Sequence, residues 1–151
     1  MPVAEKCHVF IADSQVHIWG PNTPQRPWLA GREPHRDTPL GADELLREMD
    51  AAGVARSVLV PPSWDCDRND LVLEAAQMHP DRFAVMGRFA IKAPGARGLI
   101  AGWRRQPGML GMRISVTDSE WTSAIAGRHV DWLWEEAEKA GVPIMLMATH
   151  A

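Results

Sequence analysis

The segment Asp13-Ser14-Gln15-Val16-His17-Ile18-Trp19 places a carboxylate, an amide and an imidazole at alternate positions. In an extended chain such residues share one side, so the three can converge to bind a metal or to orient a polar substrate. A plainer reading stands beside this one, in which His17 and Gln15 satisfy buried backbone groups. Arg113, in Gly111-Met112-Arg113-Ile114, is the second candidate. A guanidinium at a strand end can clamp a substrate carboxylate, or it can pair with a neighbouring acid such as Asp13 or Asp65. Ser63 and Asn69 follow an apolar run, and Asn69 stands where it can cap the next helix. Cys66 shares that loop without an identifiable base and reads as an ordinary thiol. Trp19 and Trp28 flank a Pro-rich excursion from Gly20 to Leu40. That loop can form a lid or an aromatic wall for a ring-shaped ligand, or Trp28 can pack it onto the rim. The chain has no phosphate-cradling glycine loop, no Gly-x-Ser-x-Gly elbow and no Cys-x-x-Cys.

These residues need elements to position them. Five apolar runs read as strands: Val9–Ala12, Ser57–Val60, Phe83–Met86, Met109–Ile114 and Ile144–Met147. They do not alternate, as expected for parallel strands buried on both faces. Helical stripes lie between them: Leu45, Met49 and Ala52; Leu71, Ala75 and Met78; Leu99, Ile100 and Trp103; Val130, Leu133, Trp134 and Ala137. Gly53 and Gly141 supply left-handed stops. Strand–helix alternation with parallel strands requires right-handed crossovers and gives an α/β fold. An open doubly wound sheet and part of a (β/α)8 barrel both fit the pattern. A full barrel takes roughly 250 residues, and this chain supplies about five strands.

With 151 residues, 46% of them apolar, the chain can bury one core and reads as a single domain over residues 1–151. Its 16 basic and 19 acidic residues nearly balance, which argues against nucleic acid or a polybasic membrane site as the partner. No apolar run reaches the roughly 18 residues of a membrane span, and the N-terminus lacks the build of a signal peptide. Two cysteines are too few for a disulfide framework, so a cytoplasmic setting is expected.

The motifs taken in series resemble the amidohydrolase superfamily, in particular its amidohydrolase-related group of pyrone-dicarboxylate and muconolactone hydrolases. Asp13–Trp19 is similar to the Asp-Ser-His-x-His-x-Trp opening of that group. Met49–Val54, Val58–Ser63, Arg68-Asn69-Asp70, His79–Phe83 and Gly111–Ile114 continue the likeness in order and spacing. The resemblance implies a partial (β/α)8 barrel and selects it over the open sheet. It implies hydrolysis of a carboxylate-bearing lactone, cyclic ester or amide by water attack on a carbonyl, with decarboxylation on the same scaffold as an alternative. His17 and Arg113 would be catalytic, while Gln15, Trp19, Ser63 and Asn69 would bind substrate. His17 would ligate a divalent metal such as zinc. Two departures bear on the metal: Gln15 stands where the group has its first His, and a neutral amide binds zinc much less well than imidazole. Met147 stands where the fifth strand often ends in His, with His150 three residues on. The group's catalytic Asp falls after an eighth strand, beyond Ala151. A non-catalytic half-barrel is a further alternative. Apolar edge strands would then favour a homo-oligomer in which two halves close on each other.

Overall fold

The computed structural model describes residues 9–36, 38–117 and 119–148. Five strands, β1 (Ala12–Val16), β2 (Arg56–Leu59), β3 (Phe83–Arg88), β4 (Met109–Val116) and β5 (Ile144–Ala148), form one sheet in the order β1-β2-β3-β4-β5. All four pairings are parallel. Helices α1 (Ala42–Ala52), α2 (Asp70–Met78), α3 (Ala96–Leu99), α4 (Ser119–Ala126) and α5 (Asp131–Ala140) fill the crossovers. A 3-10 turn, Ile100–Arg105, extends α3. Consecutive pairing without strand skipping is the order of a barrel wall.

The sheet is curled. Gln15 on β1 donates no reach of its own beyond a short side chain, yet its Oε1 accepts a hydrogen bond from Arg113 Nη1 on β4 at 2.8 Å. In a flat sheet those strands would stand three steps apart, about 14 Å. The contact requires the inner faces to bend toward each other. The opposite faces carry Leu59, Val85, Met112 and Ile114, which pack against Leu45, Met49, Val72, Ala75, Leu133 and Ala137 of the helices in one buried cluster. No helix among the described residues is long and apolar enough to cross a membrane.

Local chemistry explains the helix ends. Gly53 and Gly141 both adopt the left-handed conformation, at φ 73° and 61°. The N–H of the next residue returns to the helix, Val54 to the Met49 carbonyl at 2.9 Å and Val142 to that of Ala137 at 2.8 Å. These are the closing bonds of a Schellman stop. Gly111 is required for a different reason: a Cβ there would fall on the Pro143 carbonyl oxygen, which accepts the Met112 N–H at 2.9 Å.

Three expectations are corrected. The first strand begins at Ala12, and Val9, Phe10 and Ile11 are exposed. Ala12 pairs with Arg56, the first residue of β2, and the ladder frays just before it, where the Ile11 carbonyl still accepts the Ala55 N–H at 2.9 Å. Residues Asp13 and Gln15 therefore lie within the strand instead of after it. Second, not every strand is buried on both faces, because β1 and β5 are edges and are largely open. Third, the buried stripe of α2 is Val72, Ala75 and Ala76, while Met78 is exposed. Helix α4 has no counterpart among the sequence expectations.

Candidate active site

The site grows from the C-terminal ends of the strands. In β1 the register slips between Asp13, opposite Ser57, and Val16, opposite Leu59. Three residues of β1 thus advance against two of β2, as in a bulge, a device that re-aims side chains. Asp13 Oδ1 accepts the Gln15 N–H at 3.0 Å and holds that irregularity. The next inward residue is His17. Its Nδ1 lies 2.6 Å from the Val60 carbonyl oxygen. A carbonyl only accepts, so Nδ1 carries the hydrogen and the neutral ring presents the Nε2 lone pair. Trp64 packs edge-on against the ring with centroids 6.0 Å apart.

Arg88 and Arg113 are direct neighbours in the β3–β4 register, and Met145 completes the row on β5. Arg113 is buried, its Nη1 bonded to Gln15 Oε1 and 3.0 Å from Met145 Sδ. Both partners are neutral, and among the described residues no carboxylate pairs with it. Arg88 Nε donates to Asp67 Oδ1 at 3.2 Å. Its backbone is pinned by Asn69, whose Nδ2 donates to the Arg88 carbonyl at 2.9 Å and whose Oδ1 accepts the Arg88 N–H at 2.8 Å.

The charge balance is positive. Burial holds the Arg113 pKa below its ordinary value, and the adjacent Arg88 charge lowers it further. Burial also lowers the His17 pKa, with Arg113, His35 and Arg88 adding to the effect against the bond to Val60. His17 therefore stays neutral through physiological pH. A cavity of about 600 Å3 opens over this row, lined by Arg88, Arg113, Ser115, Phe89, Trp121 and Leu29 among others. Guanidinium pairs in a partly dry cleft attract a carboxylate.

The His17 assignment has a direct test in folding. A folded-state pKa below the unfolded value near 6.5 means that the unfolded chain binds the proton more readily. His17 thus costs no stability above that pH and lowers stability as pH falls below it. In urea titrations at pH 7.5 and 5.5, His17→Gln is expected to lose less stability between the two than the parent chain. Equal losses would show that the imidazole titrates as if unburied.

The sequence candidates separate into groups. Gln15 is bonded to Arg113, and His17 is near enough for the Arg113 charge to lower its pKa; of the three, Arg113 lines the cavity. Ser63 begins the 3-10 turn Ser63–Asp65 after Pro61-Pro62 and does not line the cavity. Asn69 occupies the position before α2 but makes no side-chain cap, since both amide atoms serve Arg88. Trp19 is 2% exposed and does not line the cavity; it packs edge-on against Trp64 at 5.5 Å and His35 at 5.9 Å. Arg113 does not pair with Asp13 or Asp65. Asp65 is buried between Arg26 and Arg68. Trp28 packs against the core, its Nε1 donating to the Gly20 carbonyl within the excursion at 3.2 Å, and Leu29 beside it reaches the cavity. Arg88, Asp67 and Trp121 escaped the sequence reading. Gly87-Arg88-Phe89 repeats the Gly-x-Arg pattern loosely one unit before Arg113, and that echo was the available signal.

The described residues do not fit a divalent cation at this rim. No three His, Cys, Asp or Glu side chains among them converge as a ligand set. His17 offers one lone pair, the Gln15 oxygen is taken by Arg113, and two guanidiniums would repel the ion. His150, the substitute ligand suggested by the sequence, lies outside the described residues.

No family model and no curated protein matches the chain. Solved structures do. A probable 2-pyrone-4,6-dicarboxylic acid hydrolase from Acinetobacter baumannii, with citric acid bound, is 18% identical at TM-score 0.67, over 91% of this chain and 49% of its own. The 2,6-dihydroxybenzoate decarboxylase from Rhizobium is 19% identical at TM-score 0.63, over 91% and 49%. The 5-carboxyvanillate decarboxylase from Novosphingobium aromaticivorans, complexed with manganese and 4-hydroxy-3-methoxy-5-nitrobenzoic acid, is 15% identical at TM-score 0.59, over 93% and 51%. The chain spans about half the length of the structures it matches. These neighbours are enzymes of the amidohydrolase superfamily, the group that the motif series resembles. The chain has the fold of half of their (β/α)8 barrel: five parallel strands curled with helices between.

Proposed function

We propose that this chain supplies the carboxylate-binding half of a hydrolase site that opens a carboxylate-bearing lactone or related cyclic ester. The observation that carries the reading is the Arg88–Arg113 pair, half-buried and buried respectively, which lines a cavity and is close enough to His17 to hold its pKa down. Arg113 and Arg88 hold the acid group. His17 Nε2 is the proton acceptor on this half, able to take a proton from water as its oxygen attacks the carbonyl carbon. The Val60 carbonyl fixes the tautomer needed for that role. Ser63 and Trp19, outside the cavity, act through the loop that carries Trp64. Gln15 is a positioning residue, because it orients the guanidinium of Arg113.

Decarboxylation is the weaker reading on this geometry, although two of the neighbours named above are decarboxylases. A carboxylate held by guanidiniums is stabilised as an anion, whereas loss of carbon dioxide is favoured when that anion is stripped of stabilisation. The arginine row thus suits a carboxylate that serves as a handle. The test is incubation with 2-pyrone-4,6-dicarboxylate and, separately, 2,6-dihydroxybenzoate. Ring opening of the first, with no carbon dioxide from the second, is expected. Carbon dioxide release dependent on Arg113 would reverse the assignment.

The 151-residue chain is also expected to self-associate, since β1 and β5 have exposed edges and Leu146 is 51% exposed. Light scattering at micromolar concentration would give a mass above that of one chain. A clean monomer would remove this partner.

A further inference from the structure

The cavity over Arg88 and Arg113 has a neighbour. Ile91, Lys92 and Trp121 line it and also line a second cavity of about 180 Å3, completed by Ala124, His129, Val130 and Trp132. The two spaces differ in chemistry. The first is lined by Arg88, Arg113 and Lys92, with the Asp67 carboxylate bonded to Arg88. The second is walled by two indoles and small aliphatic groups, with its polar groups confined to Lys92 and His129. Both indoles are partly buried and pack on the core, so the second cavity is braced from behind. The turn that links α4 to α5 is fixed as well: Gly127 N–H reaches the Ser123 carbonyl at 2.8 Å, and His129 N–H reaches that of Ala124 at 2.9 Å.

We infer that the ligand is an amphipathic carboxylate, its acid group on Arg88 and Arg113 and an apolar, ring-sized end in the second cavity beside Trp121. This rests on the carboxylate-binding reading above and adds the shape of the other end. The size suits one ring, because an apolar cavity of about 150 Å3 can hold benzene. Ile91, Lys92 and Trp121 border both spaces, which sets the second within the reach of a ligand anchored in the first. Water gains little in an apolar recess, whereas an aryl or short alkyl group gains by leaving bulk solvent. Trp121 offers a ring face or edge to an aromatic guest. Trp121 and Trp132 therefore act as specificity-determining residues.

The experiment compares propionate with 3-phenylpropionate on the full chain by NMR titration. Both carry the same acid; one adds a ring. The parent chain is expected to bind 3-phenylpropionate about tenfold more tightly, the order gained by burying one ring. Ala124→Phe fills the second cavity from a half-buried position and should erase that preference while leaving propionate unchanged. Trp132→Ala, which removes a wall, should reduce the preference as well. Equal affinities in the parent, or a preference that survives both substitutions, would overturn the inference and leave the carboxylate reading intact. If Arg113→Met changes neither affinity, the carboxylate reading fails and this inference falls with it.

Discussion

Replacing Arg113 with methionine is expected to weaken binding of 2-pyrone-4,6-dicarboxylate by about 10- to 100-fold while the fold becomes more stable. The two effects have opposite signs for one reason. The guanidinium is buried against neutral partners, Gln15 Oε1 and Met145 Sδ, beside a second positive charge. Taking a charge out of water without an opposite charge is unfavourable, so an apolar side chain of similar length relieves that cost by about 1 kcal/mol. The same unpaired charge is what a carboxylate would find on arrival. A charge-assisted hydrogen bond contributes about 1.5–3 kcal/mol, which corresponds to the stated loss. Calorimetric titration measures the first quantity and urea denaturation the second. Arg113→Lys should recover part of the binding only, because an ammonium cannot offer the planar fork. A variant that lost stability and kept affinity would make Arg113 a structural residue and remove it from the site.

That opposition of signs is also why Arg113 was legible in the sequence. A cation at the end of Met109–Ile114, a run otherwise apolar, violates the strand pattern, and such local violations concentrate where ligands bind. Gln15 and His17 were legible through alternation, and Gly53 and Gly141 through backbone geometry that other residues enter with difficulty. What stayed hidden depended on tertiary pairing. The start of β1 is set by where β2 begins, at Arg56, so Val9–Ile11 look like strand but lie before the first paired residue, Ala12. The inward turn of Gln15 depends on a bulge with no composition signal of its own. Arg88 follows Gly87 at the end of β3, and its importance comes from register with Arg113, a relation across two strands that periodicity does not contain. Trp121 sits on a short helix whose pattern is weak. Asn69 fits the helix-cap signature, yet its amide is drawn to the Arg88 backbone because Gly87, lacking a side chain, lets it approach.

Arg26→Ala is expected to cause the largest loss of stability among single surface-accessible changes, about 2–4 kcal/mol in urea denaturation. Its guanidinium holds Asp65 through Nη2 and Asp70 through Nη1 at 2.8 Å. The Asp65 side chain is 3% exposed, so removing Arg26 leaves a buried carboxylate with Arg68, at 3.2 Å, as its remaining ion-pair partner. Asp70, 63% exposed, regains water and contributes little. Arg26 lies in the excursion, which the Leu29 N–H, 2.8 Å from the Trp64 carbonyl, ties to the loop after β2. Arg68 Nη1 adds a bond to the Pro27 carbonyl at 3.2 Å. Loss of the clamp should therefore loosen the excursion and Trp64 together, and Trp64 is the ring against which His17 rests. Limited proteolysis is expected to cut the variant within residues 20–36 sooner than the parent. The double variant Arg26→Met with Asp65→Leu separates charge from packing. It removes the buried carboxylate left with Arg68 alone and should recover a substantial part of the stability. If the double variant were as unstable as Arg26→Ala alone, the cause would be lost packing in the excursion and not the stranded charge of Asp65.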